Sequence, residues 1–105
     1  MDEIIVMDRA YTITHVGREV TVTLATGRYA HGGRLAVLLT DASDGEDYAT
    51  LSINKDGLDL ADDEFLFKTY SENEGLLEEL IRVGAVEHTG RMTDLGPICR
   101  LAAGK

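Results

Sequence analysis

Side chains that could bind protons, metals or acyl groups are few and scattered in this sequence. His15, His31 and His88 stand apart from one another. One of them could serve as a general base, but a lone histidine in or beside a strand is more often structural. Ser43, Ser52 and Ser71 lack the strand-to-helix glycine setting of a nucleophile elbow. Cys99 is the only cysteine, so it forms no internal disulfide. It has no Cys or His neighbour at metal-ligand spacing and reads as a small apolar core side chain. Ser52, Asn54, Asp56, Gly57 and Asp63 fall near the spacing of a calcium loop. That reading fails on three counts. Its first ligand would be serine, its twelfth aspartate, and Asp59 fills a position that should be apolar. A strand pattern also precedes it where a helix should, so a plain turn is expected. Gly32-Gly33 is too short for a phosphate loop. Arg28, His31 and Arg34 flank it and form a candidate basic tip for an anion or a partner's acid. No set of residues points to a reaction. The expectation is a protein that is not an enzyme and carries neither cofactor nor metal.

Charge is the stronger signal. Among 105 residues, 19 are acidic and 10 basic, giving a net charge of −9 and a pI near 4.6. Residues 1–40 are neutral on balance, with four acids and four bases. Residues 41–79 hold thirteen acids against Lys55 and Lys68, a net of −11. Residues 80–105 carry a net of +2. The thirteen acids are Asp41, Asp44, Glu46, Asp47, Asp56, Asp59, Asp62, Asp63, Glu64, Glu72, Glu74, Glu78 and Glu79. Such imbalance within one short chain points to an acidic face. The plainer alternative is a solvated surface that keeps the protein soluble. Either way, the negative charge argues against direct nucleic-acid binding and against docking on an anionic membrane.

The magnitude invites a comparison with DNA. A domain of this length spans roughly 30 Å, and one DNA strand carries about nine charges over that distance. Thirteen acids on one face could match that density. The expected partner is then a protein with a basic surface, attracted over long range.

The length implies a single domain, residues 1–105. The longest apolar run, Leu35 to Leu39, is five residues, and a membrane helix needs about 20. Asp2 and Glu3 open the chain where a secretory signal wants positive charge. A cytoplasmic location is therefore expected.

The elements follow from periodicity. Tyr11 to Val16 and Glu19 to Leu24 alternate as half-buried strands do. The second should run on to Ala30, with a bulge or bend at Gly27. Gly32-Gly33 suits a two-residue hairpin turn. It sets His31 opposite Arg34, Ala30 opposite Leu35 and Tyr29 opposite Ala36. Arg34 to Thr40 reads as a central strand. Residues 41–46 form a turn, Asp47 to Ile53 a strand, and residues 54–57 a turn using Gly57. Leu58 to Ala61 is a short strand or extended loop, and Glu64 to Thr69 is extended. Ser71 and Glu74 have capping-box spacing ahead of a helix over about 72–83. Its stripe of Leu76, Leu77, Leu80 and Ile81 should pack on the sheet, with Gly84 ending it. Val86 to Thr89 and Ile98 to Ala102 read as short final strands joined by a loop over Gly90 to Pro97. The expected fold is α+β: an antiparallel sheet of four or more strands with one principal helix on a face.

The segment Phe67-Lys68-Thr69-Tyr70-Ser71-Glu72-Asn73-Glu74-Gly75-Leu76-Leu77, with Val83-Gly84-Ala85-Val86 and Thr89-Gly90-Arg91, resembles a family of uncharacterised proteins. They are roughly 100 residues long and are carried on bacterial plasmids, conjugative elements and phages. The likeness is best from about Asp63 to Arg91 and brings no catalytic residues with it. It implies a setting in mobile DNA, whose carriers must evade host defences such as CRISPR effectors and restriction enzymes. The leading expectation is thus an acidic inhibitor, a DNA mimic of the anti-CRISPR or anti-restriction kind. The alternative is a structural or accessory interaction module without DNA mimicry, binding through an apolar face or a sheet edge, with a homodimer as one form. Tyr11, Tyr29, Tyr48, Phe65, Phe67 and Tyr70 are enough aromatics for one small interface.

Overall fold

The computed structural model describes residues 5–102, with the side chains of Ile5, Asp8 and Glu72 outside the description. Asp2, Glu3 and Lys105, which entered the charge argument, also lie outside the described residues. The described residues form two four-stranded antiparallel sheets and one short α-helix. The first sheet is a meander of β1 (Ile5–His15), β2 (Arg18–Arg28), β3 (Leu35–Asp41) and β4 (Asp47–Thr50). The second has the order β5, β6, β8, β7, built from β5 (Ser52–Ile53), β6 (Glu64–Phe67), β7 (Val86–Thr93) and β8 (Gly96–Leu101).

Alternation in the sequence becomes burial. Tyr11 and Ile13 of β1, Val22 and Leu24 of β2, and Leu35, Val37 and Leu39 of β3 all face one core. Phe65, Phe67, Val86 and Cys99 reach the same core from the second sheet. Leu66 and Ile98 pair across β6 and β8 and are also fully buried. Every apolar residue of β6 is therefore inside, and its three-residue run has no wet face.

The two sheets meet at Leu51. Its N–H donates to the Val37 carbonyl at 2.8 Å, and its own carbonyl accepts the Lys68 N–H at 2.7 Å. Ser52 follows it into the interior, where its hydroxyl accepts the Val37 N–H at 3.0 Å and meets the Tyr29 hydroxyl at 2.8 Å. The single strand expected over Asp47 to Ile53 is thus two, broken where the chain changes sheets. Alternation fails there because Leu51 and Ser52 are both buried.

Several expectations need correction. The strand through Gly27 is regular, with Gly27 opposite Ala36 and no bulge. The Gly32-Gly33 turn is longer than two residues. Tyr29 N–H donates to the Arg34 carbonyl and Gly33 N–H to the Tyr29 carbonyl, so four residues form the loop. Arg28 therefore faces Leu35, a slip of two from the expected register. A slip of two keeps every side chain on its expected face. The tight turn lies one hairpin earlier, at Val16-Gly17, with φ of 53° and 73° between the paired His15 and Arg18.

The capping box does not form. Ser71 has φ 58° and opens a 3-10 turn, Ser71–Asn73, without a side-chain cap. The α-helix α1 is Leu76–Arg82, entered through Gly75 at φ 86°. Leu76 and Leu80 are fully buried, whereas Ile81 is 41% exposed. A seven-residue helix buries a narrower stripe than the twelve-residue one expected. α1 lies against β1 and β7, an edge strand of each sheet. Asn73 anchors its entry by donating to the Thr50 and Lys68 carbonyls. Gly84 at φ 80° follows its C-terminus, as expected.

The expected loop over Gly90 to Pro97 is instead most of a hairpin, with Met92 opposite Pro97 and Thr93 opposite Gly96. Gly96 is obligatory for a packing reason: a Cβ there would stand 2.6 Å from the Phe67 carbonyl oxygen. Among the described residues no helix is long and apolar enough to cross a membrane.

Candidate functional site

The thirteen acids separate into three groups. Asp41, Asp44, Glu46 and Asp47 sit in and beside the turn at one end of β3. Asp56, Asp59, Asp62, Asp63 and Glu64 surround the loop between β5 and β6. This loop lies at the other end of β3, because Asp56 bonds to Arg34 and His31 of the β2–β3 loop. Seven strand residues separate the two ends by about 20 Å. Glu74, Glu78 and Glu79 belong to the helical segment, and the Glu72 side chain lies outside the described residues. The twelve acids whose side chains are described are thus spread over the two ends of β3 and the helical segment.

Several acids are used inside the protein. Asp41 accepts the N–H and hydroxyl of Ser43, which hold its carboxyl below the usual range. Asp44 accepts the Glu46 N–H. Asp56 meets His31 at 3.3 Å and Arg34 at 2.5 Å, and these bonds lower its pKa. Glu64 binds Arg91 at 3.2 Å and the Ala61 N–H. Glu79 takes two bonds from Arg82 and the Thr14 N–H, which bring its pKa down to about 2.

These contacts also consume cations. Arg34, Arg82, Arg91 and Arg100 each lie against a carboxylate, of Asp56, Glu79, Glu64 and Glu87 respectively. The charge left over is therefore largely negative. The candidate basic tip does not exist as such. Arg34 is held by Asn54 and Asp56, His31 by Asp56, and Arg28 points its Nη2 at the Asp62 carbonyl. The acidic loop has folded against the basic hairpin, with Asp56 matched to Arg34 and His31 and Arg28 spent on a main-chain carbonyl.

The Asp59–Asp63 stretch is fastened by its backbone. Arg91 donates to the Asp59 carbonyl at 2.7 Å, Arg28 to the Asp62 carbonyl at 3.0 Å, and Leu101 N–H to the Asp63 carbonyl at 3.1 Å. The residues Asp59, Asp62 and Asp63 are exposed. Their carboxylates make no bond or ion pair among the described residues. Two guanidiniums thus hold the main chain while three side-chain charges remain available.

The six aromatics named for an interface do not gather on one exposed face. Tyr11, Phe65 and Phe67 are core residues, Tyr29 is tied to Ser52, and Tyr48 to His15. Tyr70 alone of the six is well exposed, at 50%.

One arrangement escaped the sequence reading. A cleft of about 410 Å³ opens at the Asp41 end of the first sheet, lined by His15, Val16, Arg18, Val20, Asp41 and Tyr48. His15 closes β1 and Arg18 opens β2 directly opposite it, so both project to one face. Tyr48 is the extra residue of a β-bulge, since Leu39 faces Ala49 while Thr40 faces Asp47. Bulges re-aim side chains in this way beside functional sites. The Tyr48 hydroxyl lies 2.7 Å from His15 Nδ1, and the rings meet edge-on with centroids 5.7 Å apart. His15 Nε2 is shielded from solvent and has no partner among the described residues. Residues 15 and 48 meet across the sheet beside this bulge, and no sequence signal marks it.

Cys99 is fully buried, and burial pushes its thiol pKa up to about 12. Among the described residues no group of three or more His, Cys, Asp or Glu side chains stands close enough to hold a metal ion. No protein-family model matches the chain, and neither the curated proteins nor the solved structures yield a match.

Proposed function

We propose that this chain is a small, non-enzymatic interaction domain that binds and inhibits a basic, nucleic-acid-binding protein. The observation that carries this reading is the Asp59–Asp63 loop. Its backbone is held by Arg91, Arg28 and Leu101, while its aspartates stay exposed and without an ion pair among the described residues. A loop already fixed in shape loses little entropy on binding. Charges of one sign also speed encounter with a basic groove. The acids at the far end of β3, about 20 Å away, favour a local docking loop over an unbroken image of a DNA strand. The resemblance to proteins of mobile elements favours a host-defence effector as the partner, of the CRISPR or restriction type.

The test is affinity capture from bacterial lysate on the immobilised protein. The proposal expects a nucleic-acid-binding protein that elutes with salt and with added duplex DNA. Screening shortens from ~10 Å at 0.1 M to ~3 Å at 1 M, so the salt step should be steep. Elution insensitive to both salt and DNA would overturn it.

A further inference from the structure

We infer that the cleft at the open end of the first sheet is a binding site for a small organic carboxylate with an apolar body. It lies at the end of β3 remote from the Asp59–Asp63 loop and does not depend on the partner proposed above. Three features of the cleft argue for it.

The first is unmet hydrogen bonding. His15 Nε2 is buried without a partner among the described residues. Buried polar atoms nearly always have one, and an exception calls for an explanation. In the tautomer where the Tyr48 hydroxyl donates to Nδ1, Nε2 carries the hydrogen and is a donor. A carboxylate oxygen is its natural complement, met when the imidazole turns Nε2 toward the cleft.

The second is the cation. Arg18 is exposed, lines the cleft and makes no ion pair among the described residues. Four other arginines are already matched to carboxylates. The guanidinium across the hairpin from His15 is thus free for a ligand, in the forked geometry that suits a carboxylate. Asp41 is also in the lining, and its bonds from Ser43 keep it ionised, so the ligand's carboxylate must sit against Arg18 and away from Asp41.

The third is a conformational cost. Val16 adopts φ 53° and is 83% exposed. A β-branched residue there is a true outlier, because the left-handed region favours glycine or asparagine. Such strain gathers at functional sites. Here it places an apolar side chain in the cleft lining, where Val20 and the Tyr48 ring supply further apolar surface. The exposed side chains of Val16 and Arg18 give a ligand its way in. A volume of about 410 Å³ is at the small end of ligand sites, which favours one ring with one charged group.

The experiment is a titration of the full-length protein with benzoate, followed by amide NMR shifts, with benzyl alcohol as the uncharged control. The expected result is saturable binding with shifts centred on residues 15–20 and 48. Arg18→Gln should weaken it about ten-fold, as loss of a charge-assisted contact does. Tyr48→Phe, which removes the hydroxyl that orients His15, should also weaken it, and the same spectra report whether either variant remains folded. No shifts at roughly 10 mM benzoate, beyond even a millimolar affinity, would overturn the inference. Equal binding of benzyl alcohol, or unchanged affinity in a folded Arg18→Gln variant, would do so as well.

Discussion

The Glu79 carboxylate accepts the backbone N–H of Thr14 at 2.7 Å, a contact from the helix to the edge strand of a sheet 65 residues away in sequence. Arg82, three residues on, grips the same carboxylate with two bonds. β1 is an edge strand, and its free N–H groups would otherwise be open to pairing with another chain. The helix therefore closes the sheet edge with a charge as well as with Leu76 and Leu80.

That contact carries a pH signature. The Glu79 pKa falls from its ordinary 4.5 to about 2, chiefly through Arg82 and then the Thr14 N–H. A lowered carboxylate pKa contributes stability that is complete above 4.5 and is lost as pH falls toward 2. Glu79→Ala should lower Tm at pH 7, and the gap to the parent protein should close by pH 2. Thermal melts across that range provide the check. A gap independent of pH would mean that the charge has no part in it.

Ser52 tests the junction between the sheets. It is 4% exposed, and its hydroxyl accepts the Val37 N–H. Ser52→Ala leaves that buried N–H unpaired and should cost roughly 1–3 kcal/mol in denaturant unfolding. A neutral substitution would show that Leu51 alone joins the sheets.

Gly96 tests the close approach of β8 to β6. An added Cβ would meet the Phe67 carbonyl oxygen, a backbone atom with little room to yield. Gly96→Ala should destabilise by more than ~1 kcal/mol. Gly17, also at positive φ but with open space around it, should lose less on the same change.

Cys99 should be inert while the protein is folded. Its thiol is fully buried and its pKa is pushed up to about 12. The thiolate is the reactive form, so modification by a thiol reagent should follow the unfolding curve. Rapid labelling under native conditions would contradict the burial.

The sheet was largely legible in the sequence because alternation is a direct image of a half-buried strand. Tyr11, Ile13, Val20, Val22 and Leu24 needed only that pattern. The hairpin at Gly32-Gly33 was placed two residues off, since two glycines in a row do not say how long a loop they serve. The helix start was misread because Ser71 and Glu74 match a capping box in type and spacing. The chain instead uses Gly75 in a left-handed conformation to enter a shorter helix. The strand over Ile98 to Ala102 was legible, but Gly90 and Pro97 hid the hairpin end of β7 and β8, where Met92 pairs with Pro97 and Thr93 with Gly96. The acids were visible as a block, but their partners were not. Arg34 with Asp56 and Arg91 with Glu64 are tertiary pairs, 22 and 27 residues apart. Local sequence cannot tell which charges remain on the surface.

The central claim is that the fastened Asp59–Asp63 loop is the surface that meets a basic partner. Its most direct test is the affinity of the captured partner for the parent protein and for the Asp59→Asn/Asp62→Asn/Asp63→Asn variant, measured against salt. Such surface changes should leave stability within about 0.5 kcal/mol of the parent. The account expects the variant to bind at least about ten-fold more weakly at low salt, with a shallower salt dependence. A folded variant with the same affinity and the same salt slope would refute it.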